Sequence, residues 1–323
     1  MKFSEENNST GFFLNTMFDY RTEYNSIVSG YNNEGIVSLG ILGEDRNTNR
    51  ISYKVIRSEL NELERVTIPI GVKKDDSPMV FIVVGLVLAL MMGFLVNTGR
   101  KFREDASRAL LRPYNFFADI RDLRIISGIQ TTVLGVVISA ILALLVSSLL
   151  YDLKANIFLE KYILAFGNIA LINSVSFLTW NPLQAIIVLS LLIFVKLLFI
   201  SLLIKAGSFF VSSRVYTKNA YFSVVWSFLP FTLSIPLAII LYRLLSLNLF
   251  EIYLYLILLI FVFWSLYRLF KGIYVIYDVR SEKVYFYSFV IIFAMLGLIL
   301  VYFQSTYITI DYLIQTFKET KAL

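Results

Sequence analysis

The sequence predicts an all-α polytopic membrane protein, a six-helix transmembrane bundle with a small β-containing N-terminal tail. Two observations predict this fold class. Apolar residues make up 58% of the 323 residues and charged residues only 16%, whereas a typical soluble domain has about 25% charged residues. The apolar residues also occur in runs of the length that a bilayer requires, about 20 residues for a hydrocarbon core of roughly 30 Å.

The N-terminal tail, residues 1–78, differs in charge from the rest of the chain. It holds nine Lys/Arg against twelve Asp/Glu, whereas residues 79–323 hold twenty against eleven. This asymmetry indicates two regions with different surroundings. Three short runs bounded by turn residues are predicted strands of a small β-rich cap. They are Gly35–Leu42, Ile51–Ile56 and Val66–Val72.

Six later runs are long and apolar enough to cross the bilayer. They are Met79–Val96, Ile129–Tyr151, Leu183–Ile204, Phe222–Tyr242, Ile252–Tyr267 and Val284–Phe303. A seventh run, Tyr162–Leu178, is also apolar but contains Asn168, Asn173 and two serines. Its composition alone does not decide whether it spans the membrane.

The distribution of basic residues favours six spans over seven. With six spans, the segments on one side hold fourteen Lys/Arg and the opposite segments, without the N-terminal tail, hold five; with seven spans the counts are ten and nine. Because basic residues are retained on the cytoplasmic side, we predict six spans, both termini outside, and a flat or re-entrant Tyr162–Leu178 at the outer interface. The predicted parts are an extracytoplasmic tail (1–78), a first span (79–98), a basic cytoplasmic connector (99–128), a five-span domain (129–304) and a short extracytoplasmic C-terminal tail (305–323).

Two spans carry a small residue at every fourth position. Residues four apart lie on one face of a helix, so each series forms a ridge that another backbone can approach closely. The ridges are Gly85, Ala89 and Gly93 in the first span and Thr131, Gly135, Ser139, Ala143 and Ser147 in the second. We predict helix packing on these ridges, either with each other or with a second copy in a homo-oligomer; the alternative is chance spacing.

The fourth predicted span is interrupted by Pro230 and Pro236. Each proline lacks the amide that would bond the carbonyl four residues earlier, which leaves the carbonyls of Trp226 and Thr232 without their usual donor. Lys196 lies in the middle of the third span, where a charge usually faces protein or water. One hypothesis is that Lys196 donates to these carbonyls. The alternative is that its side chain extends toward the cytosol.

The predicted connector interleaves basic and bulky apolar residues beside a span. Its membrane-surface candidates are Arg100, Lys101, Arg103, Arg108 and Arg112. This composition suits anionic lipid head groups or a protein partner, and the alternative is a solvated connector whose charges only set orientation. Residues 100–124 hold seven basic against four acidic residues and offer no base-stacking platform, so nucleic acid is excluded as a partner.

The absence of cysteine and histidine limits the chemistry of the chain. Thiolate and imidazole catalysis, Cys/His metal sites and disulfides are excluded. The paired carboxylates Asp278 and Glu282 have no neighbouring residues to supply the further oxygen ligands of a Mg²⁺ or Ca²⁺ site. Because no acid, base and nucleophile stand at a catalytic spacing, we predict a non-enzymatic protein without catalytic, cofactor-binding or metal-binding residues.

Part of the chain resembles a known family. The matching parts are Leu111–Phe117 (LRPYNFF) before a span, five following spans, Tyr221–Pro230 (YFSVVWSFLP) and the late loop from Leu266 to Tyr285. From about Ala109 to Phe303 the chain resembles the Yip family of Ypt/Rab-interacting membrane proteins and its bacterial relatives. This resemblance implies a five-span domain that starts in the cytoplasm, an inner-membrane location and no catalytic motif. The extra first span and the tail depart from the family pattern.

Two functions are consistent with these features. The first is a Yip-like scaffold that organises membrane proteins or lipids, with anionic head groups and a membrane or extracytoplasmic protein of unknown identity as partners. The alternative is a transporter or permease subunit that uses the broken fourth span and Lys196. The absence of a visible inverted repeat and of a carboxylate within the spans argues against transport.

Overall fold

The computed structural model describes residues 15–21, 36–61, 64, 66–67, 78–124, 127–211, 215–247 and 251–321. Six helical segments in these ranges are long and apolar enough to cross a membrane, and a small two-stranded sheet precedes them. The predicted fold class, an all-α polytopic bundle with six spans, is therefore confirmed.

The N-terminal module, described over residues 15–21 and 36–61, holds the sheet. Strands β1 (Tyr20–Arg21) and β2 (Ile36–Val37) pair antiparallel, so only two residues of the predicted strand Gly35–Leu42 are extended in the sheet. Ile51–Leu60 forms helix α1, and the strand predicted for Ile51–Ile56 is wrong.

The spacing of apolar residues explains the helix in the module. Tyr53 and Ile56 are half-buried, and residues three apart share one face of a helix but not of a strand. Most of the third predicted strand, Val66–Val72, lies outside the described residues. Its first two residues, Val66 and Thr67, are described and belong to no strand.

The remaining helices follow in chain order. They are α2 (Val80–Thr98), α3 (Arg100–Leu111), α4 (Pro113–Arg121), α5 (Gly128–Asp152), α6 (Ile157–Leu164), α7 (Ile169–Trp180), α8 (Pro182–Gly207), α9 (Thr217–Ser227), α10 (Ile235–Leu245), α11 (Glu251–Tyr277), α12 (Ser281–Tyr307) and α13 (Thr309–Lys321). The spans are α2, α5, α8, the broken segment from α9 to α10, α11 and α12. Short 3₁₀ turns at residues 153–155 and 208–210 extend α5 and α8.

The ambiguous run Tyr162–Leu178 falls on two short helices, α6 and α7, rather than on one span. Gly167 separates them with φ of +63°, a conformation that glycine adopts without steric cost, and the Tyr307 ring fills the space where a Cβ would project. Beside these helices the Lys154 ammonium lies 4.0 Å from the ring centroid of Tyr151 and 4.8 Å from that of Trp180. Neither helix has the length to cross a bilayer.

The predicted connector is an ordered part of the fold. It forms the helix pair α3 and α4, which we call the platform. Phe102, Phe116 and Phe117 on its inner side are at most 1% exposed. The platform marks one end of the bundle, here called the connector face, where α2, α8 and α11 end and α5, α9 and α12 begin.

The structure corrects the late loop and the C-terminal tail. The segment that the sequence analysis leaves between the fifth and sixth predicted spans, Arg268–Lys283, is mostly helical, because α11 continues to Tyr277 and α12 begins at Ser281. Only three residues separate the two spans, and Asp278 adopts a left-handed φ of 55° in this turn, which aspartate tolerates better than most residues. The C-terminal tail continues as helix α13.

The two small-residue ridges contact other spans of the same chain. A Cβ at Gly85 would lie 2.5 Å from Ile239 Cγ1 in α10, and one at Gly135 would lie 3.3 Å from Val225 Cγ2 in α9. All five residues of the α5 ridge are buried. The α2 ridge is buried at Gly85, half-buried at Ala89 and exposed at Gly93, so its close packing is confined to one end.

Candidate functional site

Trp226 lies where several helices converge near the connector face. Its indole is 1% exposed, and its Nε1 donates to Thr131 Oγ1 in α5 at 3.2 Å. The ring centroids of Phe102 and Phe116, from the platform, lie 5.6 and 4.9 Å from that of Trp226. Because aromatic pairs at such distances stabilise a structure beyond the area that they bury, Trp226 holds the platform against α5 and α9.

Pro230 explains why the helix that carries Trp226 ends where it does. It cannot donate to the Trp226 carbonyl, and the chain ends α9 at Ser227 and continues as a 3₁₀ turn over Leu229–Ser234. Pro236 stands in the first turn of α10, where a missing amide costs little because the first amides of a helix have no acceptor within that helix. The two prolines therefore have different roles: Pro230 breaks the span, and Pro236 begins its second half.

The partner of the released carbonyl is Arg268, not Lys196. Arg268 is 1% exposed in α11, and its Nη2 donates to the Trp226 carbonyl oxygen at 3.0 Å. Lys196 is exposed in α8 and makes no hydrogen bond to the described residues. The hypothesis that Lys196 joins the third span to the fourth is thus replaced by a bond between the fourth and fifth spans.

Arg268 and two neighbouring serines have unused hydrogen-bonding capacity. Nε and Nη1 of Arg268, Oγ of Ser223 and Oγ of Ser265 are buried and have no partner among the described residues. Ser265 and Gly272 lie one turn before and one turn after Arg268 on the same face of α11. Opposite them, Ser223 Oγ occupies the space where a Cβ at Gly272 would project. We call Ser223, Trp226, Ser265 and Arg268 the arginine centre.

The arginine centre has no acidic partner. Arg268 forms none of the ion pairs found among the described residues. A guanidinium stays charged at any pH that the protein meets, and burying an uncompensated charge is costly. The arrangement therefore concentrates one positive charge and several donors in the interior of the bundle.

Ion pairs hold the platform together and attach it to the bundle. Arg108 in α3 donates to Asp105 at 2.8 Å and to Asp119 of α4 at 2.9 Å, and its hydrogen bond to the Asp105 carboxylate raises the pKa of Arg108 above its ordinary value. Arg121 bonds Asp278 in the turn between α11 and α12 at 2.8 Å. The platform is consequently fixed to the connector ends of two spans.

The basic residues predicted for the membrane surface are all on the outer side of the platform. Arg100, Lys101, Arg103, Arg108 and Arg112 are exposed. Arg100 pairs with Glu104 at 2.9 Å and Arg108 with the two aspartates. Arg103 and Arg112 have no ion-pair partner among the described residues, so their guanidinium groups are available to a ligand.

The carboxylates near the late turn do not assemble a metal site. Asp278 is paired with Arg121, and Glu282 is exposed. In the part of the chain that the structure describes, three or more acidic residues nowhere come together closely enough to hold a metal ion.

Arg268 is the site residue that the sequence analysis misplaced. The predicted fifth span ends at Tyr267, which leaves Arg268 outside the membrane-spanning helix. The signal that could have identified it is the spacing of Ser265, Arg268 and Gly272, which puts two polar residues and a glycine on one face of an otherwise apolar helix.

Comparison with protein-family models, curated proteins and solved structures finds no match to this chain. The resemblance to the Yip family stays a prediction.

Proposed function

We propose that the chain is a non-enzymatic membrane scaffold whose platform binds anionic lipid head groups and thereby organises lipids and membrane proteins around it. One observation carries this proposal. The apolar side chains of the platform are fixed in the bundle core around Trp226, while Arg103 and Arg112 face outward without an ion-pair partner in the described chain.

Rigidity is the physical advantage of this arrangement. A flexible basic segment loses conformational entropy when it binds a membrane surface, whereas the platform is already ordered by its aromatic contacts and by the Arg108 and Arg121 ion pairs. Each basic side chain near an anionic surface contributes about 1 kcal/mol. Arg103 and Arg112 together therefore supply roughly a thirtyfold preference for an anionic over a neutral head group.

The proposal takes the connector face as the cytoplasmic face of a cell membrane. If Arg268 is left out of the count because it is buried in the bundle, thirteen of the fourteen basic residues on that side of the sequence remain. The opposite segments still hold five, so the asymmetry that supports this orientation is retained. The cytoplasmic leaflet also carries the anionic lipids that the platform would bind.

Lipid binding by matched variants tests the proposal. The double variant Arg103→Gln/Arg112→Gln removes two exposed charges at the connector face, and Arg243→Gln/Lys318→Gln removes two exposed charges at the opposite face. Each purified protein is titrated with phosphatidylglycerol or phosphatidylcholine, and the retained lipid is measured by native mass spectrometry. We expect the first variant to lose at least tenfold in affinity for phosphatidylglycerol and the second to bind like the wild type. Equal losses in both variants would reject the platform as the binding surface.

Transport is a second candidate because the fourth span is broken at membrane depth. In transporters such breaks expose backbone groups that bind substrate or coupling ions. Here the carbonyl exposed by the break is occupied by Arg268, and Phe102 and Phe116 pack against Trp226, which favours the scaffold. Anion flux into proteoliposomes that disappears in Pro230→Ala, but not in Lys196→Ala, would support transport through the break.

A further inference from the structure

We propose that the exposed face of α8 around Lys196 binds a membrane-spanning helix of another protein, one that carries an aspartate or glutamate at the matching depth. This inference goes beyond lipid binding by the platform and does not depend on it. It follows from the depth of Lys196, from the apolar residues beside it and from the positions of the carboxylates in this chain.

Lys196 lies at membrane depth. It stands 14 residues after Pro182 and 11 before Gly207, the two ends of α8. The next charged residue along the helix is Lys205, whose ammonium donates to the Val215 carbonyl outside the span. Nine residues separate the two lysines, about 13 Å at 1.5 Å per residue. The four-carbon stem of lysine does not cover that distance, so the Lys196 ammonium stays below the level of Lys205.

The described part of this chain supplies no partner for Lys196. Its side chain is exposed and forms none of the ion pairs found among the described residues. Leu192, Phe199 and Ile200, one turn away on the same side of α8, are apolar and do not make the polar lining of a water-filled path. A charge within a bilayer usually pairs with protein or faces water, so we look for the partner in another molecule.

The neighbours of Lys196 form a seam suited to a second helix. The seam consists of exposed apolar residues at alternating intervals of four and three, the heptad spacing on which two helices pack. They are Val188, Leu192, Val195, Phe199 and Leu202, each 41–55% exposed. Lys196 directly follows Val195 and so flanks the seam, at a position from which side chains form ion pairs between helices. The opposite side of α8 packs on α5 and α9. We call this face, with Lys196, the lysine seam.

A carboxylate is the group that matches Lys196. An ammonium can only donate hydrogen bonds, and a carboxylate both accepts them and cancels the charge, whereas an amide or hydroxyl offers only a dipole. A lipid head group lies at the interface and not at this depth. Because salt screens buried pairs much less than exposed ones, the pair would be strong and selective for a helix that carries the acid.

A second copy of this chain does not meet the requirement. Among the described residues of its spans, carboxylates lie only in the terminal turns, far from the depth of Lys196. Two copies that met at the lysine seam would also bring like charges together, which is unfavourable. The partner is therefore a different protein.

Disulfide crosslinking to synthetic helices tests the proposal, and it is specific for position because the chain has no cysteine. The variant Val195→Cys is reconstituted in phosphatidylcholine vesicles with a leucine-rich spanning peptide. The peptide carries one cysteine at its midpoint and, next to it, either glutamate or the isosteric glutamine. We expect at least tenfold more crosslinked product with the glutamate peptide than with the glutamine peptide.

Three variants show whether the lysine seam is responsible. Val290→Cys is the matched control, since Val290 is 48% exposed near the middle of α12; the two peptides should crosslink there equally. In Val195→Cys/Lys196→Met we expect the preference for glutamate to disappear. In Val195→Cys/Lys196→Glu we expect it to reverse, with a lysine peptide crosslinking more than the glutamate peptide. Misfolding could abolish a preference but could not reverse it.

Two results would overturn the proposal. If the glutamate and glutamine peptides crosslink equally to Val195→Cys, the lysine seam does not recognise a carboxylate. If Val195→Cys crosslinks to itself and the glutamate peptide does not compete, the seam joins two copies of this chain. Phosphatidylglycerol binding by the same variants reports separately on the scaffold function, because Lys196 is not part of the platform.

Discussion

Two arginines organise the two regions of this molecule in different ways. In the N-terminal module, Arg50 bonds both carboxylate oxygens of Asp19 and also donates to the Gly40 carbonyl oxygen at 2.8 Å. In the bundle, Arg268 has a single backbone acceptor, the Trp226 carbonyl. Arg50 is about one-third exposed, whereas Arg268 is almost fully enclosed.

The difference shows how each environment supplies a partner for a positive charge. In the module, the partial exposure of Arg50 to water reduces the desolvation cost of an ion pair, and a carboxylate joins chain segments that are 31 residues apart. Among the described residues of the spans, carboxylates lie only in the terminal turns, and in the interior a proline-broken helix provides a carbonyl instead. The first arginine is held by three hydrogen bonds and is partly solvated, while the second keeps two buried nitrogens, Nε and Nη1, without a partner among the described residues.

Truncation of Trp226 should cause the largest loss of stability in the bundle. Trp226→Ala removes a fully buried side chain together with its contacts to Phe102 and Phe116, and such truncations cost about 3–5 kcal/mol. We expect a large fall in the free energy of unfolding in detergent and increased protease cleavage of the platform. Trp264→Ala is the matched control, since Trp264 is 38% exposed on α11. Equal losses for both tryptophans would contradict the role of Trp226.

Separating α9 from α11 should cause the next largest loss of stability. In Gly272→Ala the new Cβ would overlap Ser223 Oγ, and overpacking of this kind costs about 1–3 kcal/mol. We expect a lower free energy of unfolding and a weaker Arg268–Trp226 bond. Gly297→Ala is the control, because no atom lies within 4 Å of its Cβ position; alanine should be neutral or slightly stabilising there, in line with its helix propensity. A neutral Gly272→Ala would show that the two helices are not tightly packed.

The sequence alone predicts some of these features and not others. The spans could be predicted because a bilayer requires a fixed apolar length, which holds regardless of tertiary context. The end of the fifth span could not be predicted, because a charged residue such as Arg268 usually marks the end of a span. Only the structure shows that Arg268 bonds the Trp226 carbonyl inside the bundle. The strand predicted for Ile51–Ile56 failed for a related reason: β-branched residues favour strands only weakly, and the half-buried face of Tyr53 and Ile56 favours a helix. The platform was missed as a core element because its charges dominate its composition.

A smaller effect is expected in the N-terminal module. Asp19→Asn removes the negative charge that Arg50 bonds, while the side chain, 4% exposed, keeps its shape. Hydrogen bonds to charged groups contribute about 1.5–3 kcal/mol, and because Arg50 is partly solvated we expect a loss of about 1 kcal/mol. Hydrogen exchange should accelerate at the amides of Ile41 and Leu42, which donate to the backbone opposite, and should be unchanged in the spans.

Glu44→Gln is the control for the module. Glu44 pairs with Arg21, but both side chains are about half exposed or more, and such surface pairs contribute little to stability. We expect exchange at Ile41 and Leu42 to be the same as in the wild type. If Glu44→Gln accelerates exchange as much as Asp19→Asn does, the enclosed Asp19–Arg50 pair has no special role in the module.

Acid should reproduce the effect of Asp19→Asn in the module alone. The hydrogen bond from Arg50 lowers the pKa of Asp19 below its ordinary value of 3.8. A carboxyl with a lowered folded-state pKa stabilises the folded state above its unfolded pKa, and this contribution is lost as pH falls through the folded value. The module should therefore keep its full stability down to about pH 4 and lose the Asp19 contribution below it.

The Gly40 amide, which donates to Asp19 Oδ1 at 2.9 Å, provides the measurement. Its NMR chemical shift should titrate with a midpoint below 3.8 in the wild type and show no such step in Asp19→Asn, and a midpoint at or above 3.8 would contradict the enclosed ion pair. Arg268 has no carboxylate to protonate, so its bond to Trp226 should be indifferent to the same change in pH.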